Sequence, residues 1–135
     1  MKIRVLAAVV LLASSGCQDQ SNHARAKAEA MALKTAIEAY RIKEGSFPVA
    51  SNPKVAAALQ GKVVKRIYFE IPSKMLDAAG DIIDPWGTLY DFSIQNGEMR
   101  IMSLGKNKVM DSSPTADDIV VFTHTKTEQS AAANP

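Results

Sequence analysis

Residues 21–45 read SNHARAKAEAMALKTAIEAYRIKEG, and no other stretch restricts the fold as much. Ala26, Ala30, Leu33, Ile37 and Tyr40 recur at steps of four, three, four and three, which places them on one face of a helix. Lys34 and Glu38 sit four apart on another face, and the Ala, Glu, Lys, Leu and Met content favours helix throughout. Ser21 or Asn22 is the expected N-cap, Gly45 the stop, and Ser46-Phe47-Pro48 the turn away. A helix with one apolar stripe must bury that stripe against a second layer. With 135 residues, 47% of them apolar and 22% charged, the chain has material for one domain with a modest core.

The second layer reads as β-structure. Leu89–Ile94 alternates apolar and polar, Asn96-Gly97 is a hairpin turn signal, and Met99–Leu104 is the return strand. Ile119–Thr123 is a β-branched run and the expected third strand, reached through a polar loop from Gly105 to Asp118. Before the hairpin, Asn52-Pro53 opens a shorter helix with Asn52 as cap, and Gly61 ends it. Ile67, Phe69 and Ile71 alternate with Tyr68 and Glu70, which predicts an extended segment ending at Pro72. The expected fold is α+β: a long N-terminal helix packed on a small antiparallel sheet of three to four strands.

The N-terminus has a different character. Lys2 and Arg4 precede an uncharged apolar run, Val5–Leu12, followed by small residues and Cys17. That order is a secretory signal, too short for a membrane span. ASSG before the sole cysteine resembles a bacterial lipobox, although Ser14 stands where an aliphatic residue is usual. Cleavage before Cys17 and acylation of its thiol are the expectation; ordinary cleavage leaving a free thiol is the alternative. The division expected is 1–16 signal peptide, 17–22 lipidated polar tether, 23–123 globular head and 124–135 disordered tail. Removing residues 1–16 takes away two of the sixteen basic residues, so fourteen remain against fourteen acids. A formally neutral head lacks the basic surface that nucleic-acid binding needs.

Asp84-Pro85-Trp86-Gly87 fits a type I turn: Asp84 accepts from a turn N–H, Pro85 fixes φ, and Gly87 suits the fourth position. The turn holds Trp86 on a stiff corner, where its ring is expected to cover the end of the core rather than stack on a ligand. With AYRIKEGSFP before it and MSLGKN and DDIVVF after it, this segment resembles the globular part of the type II secretion major pseudopilins, the G family. The ordered matches are Tyr40, Gly45, Phe47 and Pro48; Asp84 to Gly87; Ser103 to Gly105; and Asp118-Ile119. The resemblance runs from about Ala24 to Phe122 and implies a pilin-like fold and a structural role.

Two departures bear on function. The family keeps an apolar assembly helix after its cleavage site, with a glutamate at the fifth mature position; here the apolar run precedes Cys17 and Ser21 takes that place. A lipid anchor on Cys17 would replace the helix. The family also binds Ca²⁺ in the loop after Ser-Leu-Gly. Carried over by position, the ligands fall on the Leu104 carbonyl, Asn107 and Asp117 or Asp118, with Asp111, Ser112 or Ser113 able to compensate. Ca²⁺ wants six to eight oxygens. Asn107 is neutral where the family has a charge, and Lys106 and Lys108 flank it, so a weak or absent site is expected. No catalytic or metal-protease motif is present, and Asp77, Asp81 and Asp84 have no recognised catalytic spacing.

Two functional expectations follow. One is a membrane-anchored, pseudopilin-like lipoprotein contacting pilin or pseudopilin subunits of a type II secretion or type IV pilus-like system, without enzymatic activity. The other is a stand-alone envelope lipoprotein using the fold to bind protein or Ca²⁺, with loop 105–118 as its working surface. Gln18 at the second mature position favours the outer membrane.

Overall fold

The computed structural model describes residues 15–110 and 117–124. Its elements in chain order are α1 (Ser15–Glu44), α2 (Asn52–Leu59), a 3-10 turn (Ser73–Met75), β1 (Asp91–Gln95), β2 (Glu98–Ser103) and β3 (Ile119–Phe122). The strands form one antiparallel sheet in the order β1-β2-β3. Helix α1 packs against β2 and β3 and touches α2. This is the α+β arrangement expected, with three strands.

The stripe on α1 is the core. Ala26, Ala30, Leu33, Ile37 and Tyr40 are all buried, joined by Ala36. Opposite them lie Phe92, Met99 and Ile101 of the sheet, Val55 and Leu59 of α2, and Met75, Ile82 and Tyr90 of the connecting segment. Phe92 pairs with Ile101, and Ile101 with Val121, so these three share the inner face, while Asp91, Ser93 and Arg100 alternate outward. An Arg100–Asp91 ion pair at 2.9 Å crosses the outer face. Asn96 and Gly97 take φ of 52° and 79°, the paired positive angles of a type I′ turn, which keep β1 and β2 in register.

Helix α1 starts earlier than expected, at Ser15, and runs through 17–22, where the sequence suggested a tether. Ser21 and Asn22 are therefore interior helical residues rather than caps. Each polar residue there costs only a few tenths of a kcal/mol relative to alanine, less than starting a helix anew. The proposed signal segment up to residue 14, Asp111 and the tail from 125 lie outside the described residues.

Two further expectations are corrected. Ser51, not Asn52, is the N-cap of α2, and Pro53 lies within its first turn. Gly61 N–H donates to the Ala58 carbonyl and Lys62 N–H to the Ala57 carbonyl, a Schellman ending of that helix. Residues 67–71 form no strand. Tyr68 and Phe69 both donate their N–H to the Leu59 carbonyl, at 2.8 and 3.1 Å, which ties this segment to the end of α2.

Candidate functional site

The segment between the helices and the sheet is built from one turn used twice. In Asp77-Ala-Ala-Gly-Asp81, the Gly80 N–H donates to the Asp77 carbonyl and the Asp77 N–H to the Asp81 carbonyl. Asp77 Oδ1 accepts from the N–H groups of Ala79 and Asp81, both at 2.9 Å. Asp84-Pro-Trp-Gly-Thr88 repeats this pattern. Gly87 N–H donates to the Asp84 carbonyl, Asp84 N–H to the Thr88 carbonyl, and Asp84 Oδ1 accepts from Trp86 and Thr88. Each is a type I turn followed by a glycine bulge, with a carboxylate closing its inside. The second copy is legible in the sequence; the first carries the same Asp-x-x-Gly signal within a cluster of acids. The two carboxylates serve backbone donors, so Asp77, Asp81 and Asp84 do not form an acid–base group.

Asn52 fixes this segment from below. Its buried amide donates to the carbonyls of Ile82 (2.7 Å) and Tyr90 (2.8 Å) and accepts from the Ile82 N–H (2.6 Å). Asn-Pro commonly opens helices, so the sequence alone points to Asn52 as a cap. Nothing local announces a partner thirty residues away.

Asp84 does more than close its turn. It is 2% exposed, and its second oxygen, Oδ2, accepts from the Ser103 hydroxyl at 2.7 Å. Ser103 Oγ in turn accepts from the Gly105 N–H at 3.2 Å. The turn thus holds the end of β2 and the start of the 105–118 loop through one carboxylate and one hydroxyl. Gly105 has φ of +71°, and a Cβ there would run into the Asp117 carbonyl and come within 2.8 Å of Asp117 Oδ2. Only glycine lets the returning chain pass so closely. Asp117 Oδ2 accepts from the Asn107 N–H at 3.0 Å, and Asn107 Oδ1 accepts from the Val109 N–H at 2.9 Å.

Of the residues carried over as calcium ligands, Leu104, Asn107, Asp117 and Asp118 fall at the two ends of this loop, and Asp111 is outside the described residues. Asp117 Oδ1 is buried and has no hydrogen-bond partner among the described residues. That is an oxygen suited to a cation, but the Asn107 side-chain oxygen is already used by the loop's own backbone. No group of three or more His, Cys, Asp or Glu residues placed to hold a metal occurs among the described residues.

Trp86 is half-buried and lies outside the core cluster. It lines a cavity of ≈ 260 Å³ with Gln20 and His23 of α1, Lys106 and Asp117. The residues around the ring are polar or charged, but the surface they turn to the cavity is almost wholly apolar. They come from three separate parts of the chain, which no spacing could reveal. Tyr40 is buried and meets the Tyr68 ring edge-on at 5.2 Å, Gly45 bonds back to the Arg41 carbonyl, and Pro48 is buried below the turn. These signature residues close the C-terminal end of α1, whereas Asp84 to Gly87 and Ser103 to Gly105 close the loop. Cys17 lies in the first turn of α1, three residues before Gln20, which lines the cavity beside Trp86.

Residues 14–122 match the profile of Type II secretion system (T2SS), protein G. The chain belongs to that family. The match spans α1, both turns, the hairpin and β3, and so includes every contact just described. No curated protein and no solved structure matches the chain. As a protein G family member it is a pseudopilin-like secretion component of the cell envelope, a class that works with other pseudopilin subunits as structure rather than as enzymes. No helix of the described residues is long and apolar enough to cross a membrane.

Proposed function

We propose that this protein G family member is a lipoprotein, anchored through acylated Cys17, that serves as a structural or accessory subunit of a type II secretion or type IV pilus-like system. The observation that carries the reading is the character of α1 after Cys17. Arg25, Lys27, Glu29, Lys34, Glu38 and Arg41 put a charge on nearly every turn, where the resemblance implies an apolar assembly helix. Glu29 is held by Arg25 at 2.9 Å and by Tyr90, so this charged helix is integrated into the head. An anchor upstream of it has to be something other than this helix. Two or more acyl chains hold a protein stably on a membrane. The outer membrane is the proposed destination, on Gln18 after the lipidated cysteine.

The test is the mass of the mature N-terminus from membrane fractions, with and without an inhibitor of lipoprotein signal peptidase. A diacyl- or triacyl-modified Cys17 as first residue, lost with the inhibitor, supports the reading. An unmodified Cys17, or a chain that keeps residues 1–16, refutes it.

The second reading, a stand-alone Ca²⁺- or protein-binding lipoprotein, is favoured by the orphaned Asp117 Oδ1. Leu104, Asn107, Asp111, Asp117 and Asp118 are its proposed ligand set. Calorimetric titration with Ca²⁺, and co-purification with pilins, separate the two readings.

A further inference from the structure

The cavity beside Trp86 is an apolar space among polar residues. Gln20, His23, Lys106 and Asp117 share its lining with the Trp86 ring, yet the surface turned into it is almost wholly apolar. Long polar side chains do this when they show their stems to a hollow and keep their ends in water. A water held there needs about two to four polar partners, and this wall offers it almost none. At ≈ 260 Å³ the cavity exceeds the roughly 150 Å³ of an engineered apolar cavity that stays dry and takes up benzene. It has room for a stretch of hydrocarbon chain.

Its place in the fold is as telling as its lining. Helix α1 contributes Gln20 and His23, three and six residues after Cys17, about 4.5 and 9 Å further along the axis. Trp86 belongs to the turn that Asp84 closes, and Lys106 and Asp117 to the loop joined to that turn through Ser103. The Tyr90 hydroxyl, just after the turn, meets the Ala26 carbonyl at 3.2 Å and Glu29 at 3.0 Å. Buried bonds thus hold the turn against the first half of α1, next to the only cysteine of the chain.

We propose that one acyl chain carried by Cys17 folds back into this cavity against the Trp86 ring, while the remaining chains hold the membrane. The inference rests on the lipoprotein reading above. An acyl chain spans about half of a 30 Å hydrocarbon core, roughly 15 Å, and so reaches past both Gln20 and His23. A methylene gains much the same from an apolar cavity as from a bilayer, so leaving the membrane costs little, and drying the cavity wall adds to the gain. The chain is tethered one turn away, which keeps its effective concentration high. A triacylated cysteine retains two chains for anchoring, and two suffice. A free apolar molecule would suit the same walls. The cavity's position one turn after Cys17 favours the chain already attached there. The docked chain also orients the head, with the start of α1 and the 105–118 loop beside the membrane and Gly45 away from it.

The experiment uses a chain with one tryptophan and one cysteine. The full precursor is expressed in cells fed a brominated fatty acid, purified from their membranes and reconstituted into unbrominated phosphatidylcholine vesicles. Bromine quenches indole emission on contact, so Trp86 reports on the anchor's own chains. Docking predicts that Trp86 loses more than half of the emission shown by protein with ordinary acyl chains, because the tethered chain occupies the cavity most of the time. Ordinary protein in vesicles of brominated phosphatidylcholine should keep its emission. Equal emission from brominated and ordinary anchors overturns the proposal. So does quenching by vesicle bromines as strong as that by anchor bromines, which would place the ring in the bilayer. The mass of the N-terminal peptide keeps the two readings apart. A brominated acyl-Cys17 with unquenched Trp86 refutes docking alone, whereas an unmodified Cys17 refutes the anchor reading and the proposal with it.

Discussion

Replacing Asp84 tests whether the turn organises the loop. Its carboxylate is 2% exposed and accepts three bonds, from the N–H groups of Trp86 (3.0 Å) and Thr88 (2.9 Å) and the Ser103 hydroxyl (2.7 Å). Asp84→Ala leaves all three donors short of a partner in a site with little room for water. A hydrogen bond to a charged group contributes about 1.5–3 kcal/mol, and the three are not additive, so a loss of about 3–5 kcal/mol is expected. Asp84→Asn keeps Oδ1 for the two backbone donors. It turns an NH₂ toward Ser103 Oγ, which rotates its proton away and accepts. Charge assistance and the buried Ser103 proton's acceptor are lost, about 1–3 kcal/mol. Urea unfolding followed by circular dichroism separates the cases, and in thermal scans Asp84→Ala should melt at least about 12 °C lower. Ser103→Ala should cost about 1–3 kcal/mol, and the double variant with Asp84→Ala should lose clearly less than the sum of the two. Additive losses, or an alanine variant no worse than the asparagine one, would refute the argument that one carboxylate joins turn and loop.

Asn52→Ala should destabilise the head by about 3 kcal/mol, since the buried Ile82 N–H and Tyr90 carbonyl lose their partner while the Ile82 carbonyl keeps only the Tyr90 N–H; Asn52→Asp should be at least as damaging in the same urea titration, because a carboxylate cannot donate to Ile82 and Tyr90. Burial, then the nearby Glu29 charge, pushes the Tyr90 phenol far above the usual tyrosine range. The folded phenol therefore stays neutral where the unfolded one ionises, so stability should fall above about pH 10 by up to about 1.4 kcal/mol per unit. Tyr90→Phe should remove that contribution from the alkaline limb of a stability–pH curve. Asn107→Asp restores a charge at the loop's start and should tighten Ca²⁺ binding at least about tenfold from a starting Kd near or above about 1 mM, read by calorimetry; equal weak binding by both proteins would exclude residue 107 as a ligand.

The scaffold was legible because its determinants are local and periodic. The stripe from Ala26 to Tyr40, the Asn96-Gly97 hairpin and the Asp84–Gly87 turn each state their geometry within a few residues, and each stands as read. Errors arose where two local signals competed. Asn-Pro is a capping signal, but Ser51 took the cap and left Asn52 free to bridge Ile82 and Tyr90. The alternation from Ile67 to Ile71 resembles a strand. No strand formed there, because the two N–H groups at 68 and 69 go to one carbonyl at the end of α2.

What the sequence determined by itself is the class of fold, the family-like order of signatures and the overall charge balance, all properties of neighbours along the chain. What only tertiary structure decided is which of those residues meet. Asp84 reaches Ser103 across 19 positions, Tyr90 reaches Glu29 across 61, and Gly105 gives passage to Asp117. The segment ending at Tyr68 returns to Tyr40 and Glu44 of α1 by the same means. Such pairings carry no periodic signature. They exist because packing the stripe of α1 on the sheet fixes where every loop must return.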